Sequence, residues 1–128
     1  MNRICKGFSA LFLFVLAGCA AQKVHDAGID AFNAGNYEAG LDELSQAVKM
    51  DPSNLGYRID VLTRKEAAVR KLLAAADEAR ANGRPQSAEA DYKRVLQIDR
   101  DNARAQIGLE RLQADRRGRH ANLGESGA

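Results

Sequence analysis

Thiols and imidazoles are scarce in this 128-residue sequence: Cys5 and Cys19 are its only cysteines, and His25 and His120 its only histidines. A protein metal site takes three or four such ligands, and a cysteine nucleophile takes an adjacent base. No second cysteine follows Cys19, so neither a metal cluster nor a Cys/His pair can be assembled there. No glycine-rich phosphate loop is present. The adjacent carboxylates Asp42 with Glu43, and Asp77 with Glu78, lie in stretches of helical spacing, where a solvated face accounts for them better than acid–base catalysis does. No enzymatic activity, metal, cofactor or small-molecule substrate is expected. What remains is one thiol, Cys19, and a set of aromatic and guanidinium side chains suited to holding another protein.

Cys19 closes the only strongly apolar run in the chain, FSALFLFVLA from Phe8 to Ala17. Arg3 and Lys6 precede that run without an acid. A charged start, a short apolar block and small residues at its end make a secretory signal, whereas a membrane-spanning helix takes roughly 20 apolar residues. The block is too short to span. Leu16-Ala17-Gly18-Cys19 resembles the lipobox of bacterial lipoproteins. That resemblance implies a diacylglycerol on the Cys19 thiol, cleavage just before it, and attachment to the membrane through the lipid. Small Ala17 and Gly18 suit a peptidase that must bring the scissile backbone close to its own active site. Ala20 stands where lipoproteins retained at the inner membrane tend to carry Asp, so the resemblance favours the outer membrane, with the domain facing the periplasm. Residues 1–18 are then a leader, Cys5 is discarded with it, and the mature chain has neither a free thiol nor a disulfide.

Without Arg3 and Lys6, the 19 basic residues fall to 17 and match the 17 acidic ones. A balanced surface argues against nucleic acid, which calls for a basic patch able to displace phosphate counterions. It also argues against electrostatic membrane binding, so the acyl chains must do the anchoring. The stretch ADRRGRH reads as a solvated helix end, with cations near the negative pole of the dipole.

Two stretches of the mature chain align: AFNAGNYEAGLDELSQAVKMDPSN from Ala31, and ARANGRPQSAEADYKRVLQIDRDN from Ala79. Gly35 and Gly83 hold the same place, where a helix needs a left-handed residue before the chain turns back. Apolar residues at helical spacing follow, Leu41, Leu44, Ala47 and Val48 in one, and Ala88, Tyr92, Val95, Leu96 and Ile98 in the other. MDPSN and IDRDN then stop one helix and can cap the next. These are two helical hairpins, so the fold class is all-α. Between them Leu55 to Ala68 has no helix stop, and Tyr57, Val61, Leu62, Val69, Leu72, Leu73 and Ala76 continue an apolar stripe. One helix from about Asn54 to Ala81 is expected, on the order of 40 Å long. A break near Thr63 is the alternative. Ala103 to Arg116 is amphipathic and closes the core as a cap. A helical domain over 19–117 and a disordered tail over 118–128 complete the expected organisation.

The hairpins are similar to the tetratricopeptide repeat, a helix-turn-helix unit of about 34 residues. The first copy, Ala21 to Asn54, meets the motif with Gly28, the turn at Gly35 to Tyr37, Ala47 and Pro52. Gly40 replaces the usual alanine, at a helix-propensity cost of about 1 kcal/mol. The second copy keeps Gly83, Ala88 and Tyr92, but Pro85 and Arg100 stand where an aromatic and a proline belong. First helices of such repeats line a concave groove that takes a peptide or helix. The resemblance places Gln22, His25, Ile29, Phe32 and Asn33, then Arg70, Leu73, Asp77, Arg80 and Ala81, at groove positions. Phe32 would be the aromatic anchor, and Arg70 and Arg80 the carboxylate or carbonyl clamps. The plainer reading packs Phe32 against a neighbouring helix and leaves the arginines in water.

A lipobox followed by this helical pair, the overlong helix and NARAQIGLERLQADRR also resembles the N-terminal region of secretin-type outer-membrane proteins of type II secretion and pilus systems. This implies an interaction module, accessory to or a fragment of such an assembly. The alternative expectation is a stand-alone lipoprotein scaffold that docks cell-wall enzymes or envelope assembly factors.

Overall fold

A computed structural model describes the backbone of residues 5–125 and the side chains of residues 18–121. The described residues form five helices and no strand: α1 (Cys5–Asn33), α2 (Tyr37–Met50), α3 (Leu55–Ala81), α4 (Pro85–Ile98) and α5 (Ala103–Glu125). The side chains of the apolar block Phe8 to Ala17 lie outside the described residues, and no described helix is long and apolar enough to cross a membrane. The chain divides into two compact units inside α3, between Lys65 and Glu66.

The first unit contains α1, α2 and the start of α3. Gly35 adopts φ +86°, and its N–H donates to Phe32 O while Asn36 N–H donates to Ala31 O, each at 3.0 Å. This pair of bonds is a Schellman closure, which only a residue without a Cβ enters cheaply. The helices it joins meet backbone to backbone. A Cβ on Gly40 would stand 2.8 Å from both Gly28 O and Phe32 N, and one on Gly28 would stand 2.9 Å from Gly40 O. Gly40 is thus a steric requirement of the hairpin and more than a propensity cost. Beyond the turn after Met50, Asn54 Oδ1 accepts from Tyr57 N–H at 3.3 Å and caps α3. Tyr57 then packs on Ala21 and Ala47, with Val24 and Val48 against them.

The second unit is built from the rest of α3 with α4 and α5. Gly83, at φ +68°, repeats the same closure: its N–H donates to Arg80 O at 3.2 Å and Arg84 N–H to Ala79 O at 2.8 Å. Pro85 opens α4 at a position where its missing N–H leaves no bond unmade. Asn102 Oδ1 accepts from Ala105 N–H at 3.2 Å and caps α5. The core is Ala68, Leu72, Leu73, Ala76 and Ala79 with Ala88, Tyr92, Val95, Ala105 and Leu112. On the outside of α4, Glu89 binds Lys93 and Arg116, each at 2.7 Å.

Two expectations need correction. The apolar stripe of α3 is not buried throughout: Tyr57, Leu72, Leu73 and Ala76 are buried, but Leu62 is exposed. At 3.6 residues per turn, Leu62 falls with Leu55 and Ile59 on one line, while Tyr57, Val61, Ala68 and Leu72 follow another. The second expectation is the tail, since α5 continues to Glu125 through most of the stretch expected to be disordered. That stretch has no proline to stop it, and its glycines weaken a helix without breaking it.

Candidate functional site

In the second unit, side chains from three helices line one open pocket of about 400 Å³. Asp77 and Arg80 come from one face of α3, Tyr92 from α4, and Arg104, Ile107, Gly108 and Arg111 from one face of α5. Spacings of three, four and seven residues bring each set onto a single helix face. Tyr92 is 1% exposed. Its ring rests on the bare backbone of Gly108, where a Cβ would collide with ring atom Cζ.

The carboxylate of Asp77 gathers the helices. Tyr92 Oη donates to Asp77 Oδ1, and Arg104 Nη2 donates to Asp77 Oδ2. The Tyr92 hydroxyl bond holds the Asp77 carboxyl below the usual carboxylate value, opposed by partial burial and helped by Arg104 and by the charge of Arg80. Burial raises the Tyr92 hydroxyl, and the bond to Asp77 adds to that shift, while Arg80 counters it. Among the described residues Arg111 is in no ion pair, and Arg80 acts on Asp77 through its charge. Three guanidiniums therefore face the pocket against one carboxylate, both of whose oxygens are already taken. Such a pocket can accept a further carboxylate through paired N–H donors. Among the described residues no three metal-ligating side chains converge.

A depressed Asp77 contributes stability above its ordinary value of 3.8, and that contribution is lost as pH falls through the lowered value. Unfolding followed against pH should therefore show wild-type stability declining on the acid side, and Asp77→Asn should flatten that limb. Parallel acid limbs in the two proteins would show that Asp77 carries none of it.

The expected groove residues divide between the two units. Asp77 and Arg80 come together as described. Arg70 does not join them: its side chain is 71% exposed, and its nearest carboxylate is Glu66 at 3.8 Å. Leu73 is 7% exposed and belongs to the core, so it presents no surface to a partner. In the first unit Phe32 is 5% exposed, packed on Tyr37 at 4.9 Å with the Arg64 guanidinium 5.1 Å over its ring. It is a structural residue, as the plainer reading held. His25 stacks on Tyr57 at 4.5 Å and places Nε2 2.7 Å from Asp60 Oδ2, and Tyr57 Oη donates to Gln22 Oε1 at 2.9 Å. These polar contacts tie α1 to the start of α3. Ile29 is half-buried, while Asn33, Ala81 and Cys19 are exposed. Sequence reasoning missed Tyr92, Arg104, Gly108 and Arg111 as site residues. The seven-residue spacing of Arg104 and Arg111 in the presumed cap was the available signal.

No known protein family matches this chain, and neither does any curated protein or solved structure.

Proposed function

We propose that the chain is a lipid-anchored interaction module on the periplasmic face of the outer membrane, whose arginine pocket holds an acidic segment of a partner protein. The observation that carries the binding reading is the pocket itself: Arg80, Arg104 and Arg111 around the single, already engaged carboxylate of Asp77. Arg–carboxylate pairing supplies directionality, and Ile107 at the pocket wall gives an aliphatic side chain of the partner something to rest on. The anchoring reading rests on Leu16-Ala17-Gly18-Cys19 and on Ala20. The repeat reading is supported by the two Schellman closures, 48 residues apart at Gly35 and Gly83, and by Ala76 and Ala88, which follow Gly28 and Gly40 at the same interval. On the resemblance of its helical run, the assembly it serves is of the secretin type.

Fluorescence anisotropy with a labelled peptide rich in Glu and Leu tests the pocket. Removing two charge-assisted clamps in Arg80→Ala/Arg111→Ala should weaken binding about tenfold or more, with a shallower salt dependence, while Arg70→Ala should bind as wild type. Equal affinities in all three proteins would move the binding surface elsewhere.

A further inference from the structure

The first unit carries an exposed apolar surface of its own. Leu55, Ile59 and Leu62 follow one another at i, i+4 and i+7 on α3 with exposures of 65%, 58% and 63%, and Met50 at the end of α2 is 39% exposed. Single exposed apolar residues are ordinary, but these are four of the five large exposed ones among the described residues, and they flank one turn. Leu62 also borders a shallow apolar cleft with Val48 and Val61, and Lys49 and Arg58 stand at its edge.

This corner lies at the Cys19 end of the unit. α2 runs back along α1, so Ala47 meets Ala21, and the start of α3 joins them through Tyr57. The Tyr57 hydroxyl reaches Gln22, three residues after the exposed Cys19. Three residues of helix span only about 4.5 Å. A lipid on Cys19 would therefore hold the corner against the bilayer surface at an effective concentration in the millimolar range.

We propose that this corner is a membrane-seating surface: Met50, Leu55, Ile59 and Leu62 enter the headgroup–acyl boundary, and Lys49 and Arg58 meet lipid phosphates. The proposal rests on the reading of Cys19 as the anchor. An apolar helix face edged by cations is the pattern of an interfacial contact, and lipid attachment is secured when a second membrane signal joins the acyl group. Along 49–62 the cations Lys49 and Arg58 are matched by Asp51 and Asp60, but the cleft itself is lined by the two cations and by no acid, and that placement points to phospholipid headgroups. A neighbouring protein helix would have no comparable reason to meet this corner at the anchor end.

The sequence has no tryptophan, so Ile59→Trp gives a single reporter in the full chain. The protein is reconstituted into phosphatidylethanolamine/phosphatidylglycerol vesicles with brominated acyl chains, and a separate Ala39→Trp chain reports the opposite end of α2. The position-59 reporter should emit to the blue and be quenched about threefold more strongly than the position-39 one, and Leu55→Asp/Leu62→Asp should abolish the difference. Equal quenching at both positions overturns the proposal, whether or not the chain floats with the vesicles. So does a position-59 reporter shielded only where the chain self-associates or binds another protein. Flotation reports the anchor separately: wild type acylated in cells should float and Cys19→Ser should be released, whereas equal flotation of the two would sink the anchor and leave the quenching result to judge the corner on its own.

Discussion

Leu72→Asp is expected to unfold the second unit or bring it to the edge of unfolding, with a loss of about 4 kcal/mol or more. Leu72 is 3% exposed, one of the buried apolar residues of the second unit. A charge forced into such a place either stays ionised without a partner or takes up a proton at a comparable cost. Domains of this size hold only about 5–15 kcal/mol in reserve. The same change ten residues earlier, Leu62→Asp, should alter stability by no more than about 0.5 kcal/mol, because that side chain already stands in water. Urea unfolding followed by circular dichroism separates the two. Equal losses would mean that both stripes of α3 are buried and that the exposed corner of the first unit does not exist.

Gly40→Val carries the second large effect, a loss of about 3 kcal/mol from the first unit. The atoms in its way are Gly28 O and Phe32 N and Cα, all backbone, so no side chain can rotate aside to make room. The whole of α2 would have to move off α1. Even Gly40→Ala, which gains about 1 kcal/mol of helix propensity, should end as a net loss. Gly118→Ala is the counterpart, since a Cβ there meets nothing within 4 Å and should cost nothing. If Gly40→Ala proved as harmless as Gly118→Ala in chemical unfolding, the close approach of α1 and α2 would be disproved.

The hairpins were legible because their punctuation is local. Gly35 and Gly83 are read by φ alone, and Asn54 and Asn102 cap through their own side chains, so no tertiary knowledge is needed. The continuous run from Leu55 to Ala81 was legible for the same reason. Which side of that run faces inward was not. Leu62 and Leu73 share a line on the helix, yet one is bare and the other covered, and only the neighbours decide that. Alanine made the matter harder: Ala68, Ala76, Ala79, Ala88 and Ala105 build much of the core of the second unit, and alanine suits a helix surface equally well. Asp77 and Arg80, expected at groove positions, line the candidate pocket, but Phe32 and Leu73 were assigned a surface because a groove position on a repeat says nothing of how deep a large side chain will sink. Tyr92 was read as apolar core, which its ring is; the hydroxyl that reaches Asp77 has no signature in spacing. Arg104 and Arg111 were set aside as the polar face of a cap.

The two units divide within α3, between Lys65 and Glu66, yet the helix runs through the division without a break. Starting a helix costs far more than lengthening one. Whichever core forms first therefore supplies the nucleus from which the other unit's portion of α3 extends by simple propagation. Loss of one core, conversely, frays the helix on which the second is assembled. Two hydrophobic centres thus draw on one helix, and lengthening it from either of them calls for no second nucleus.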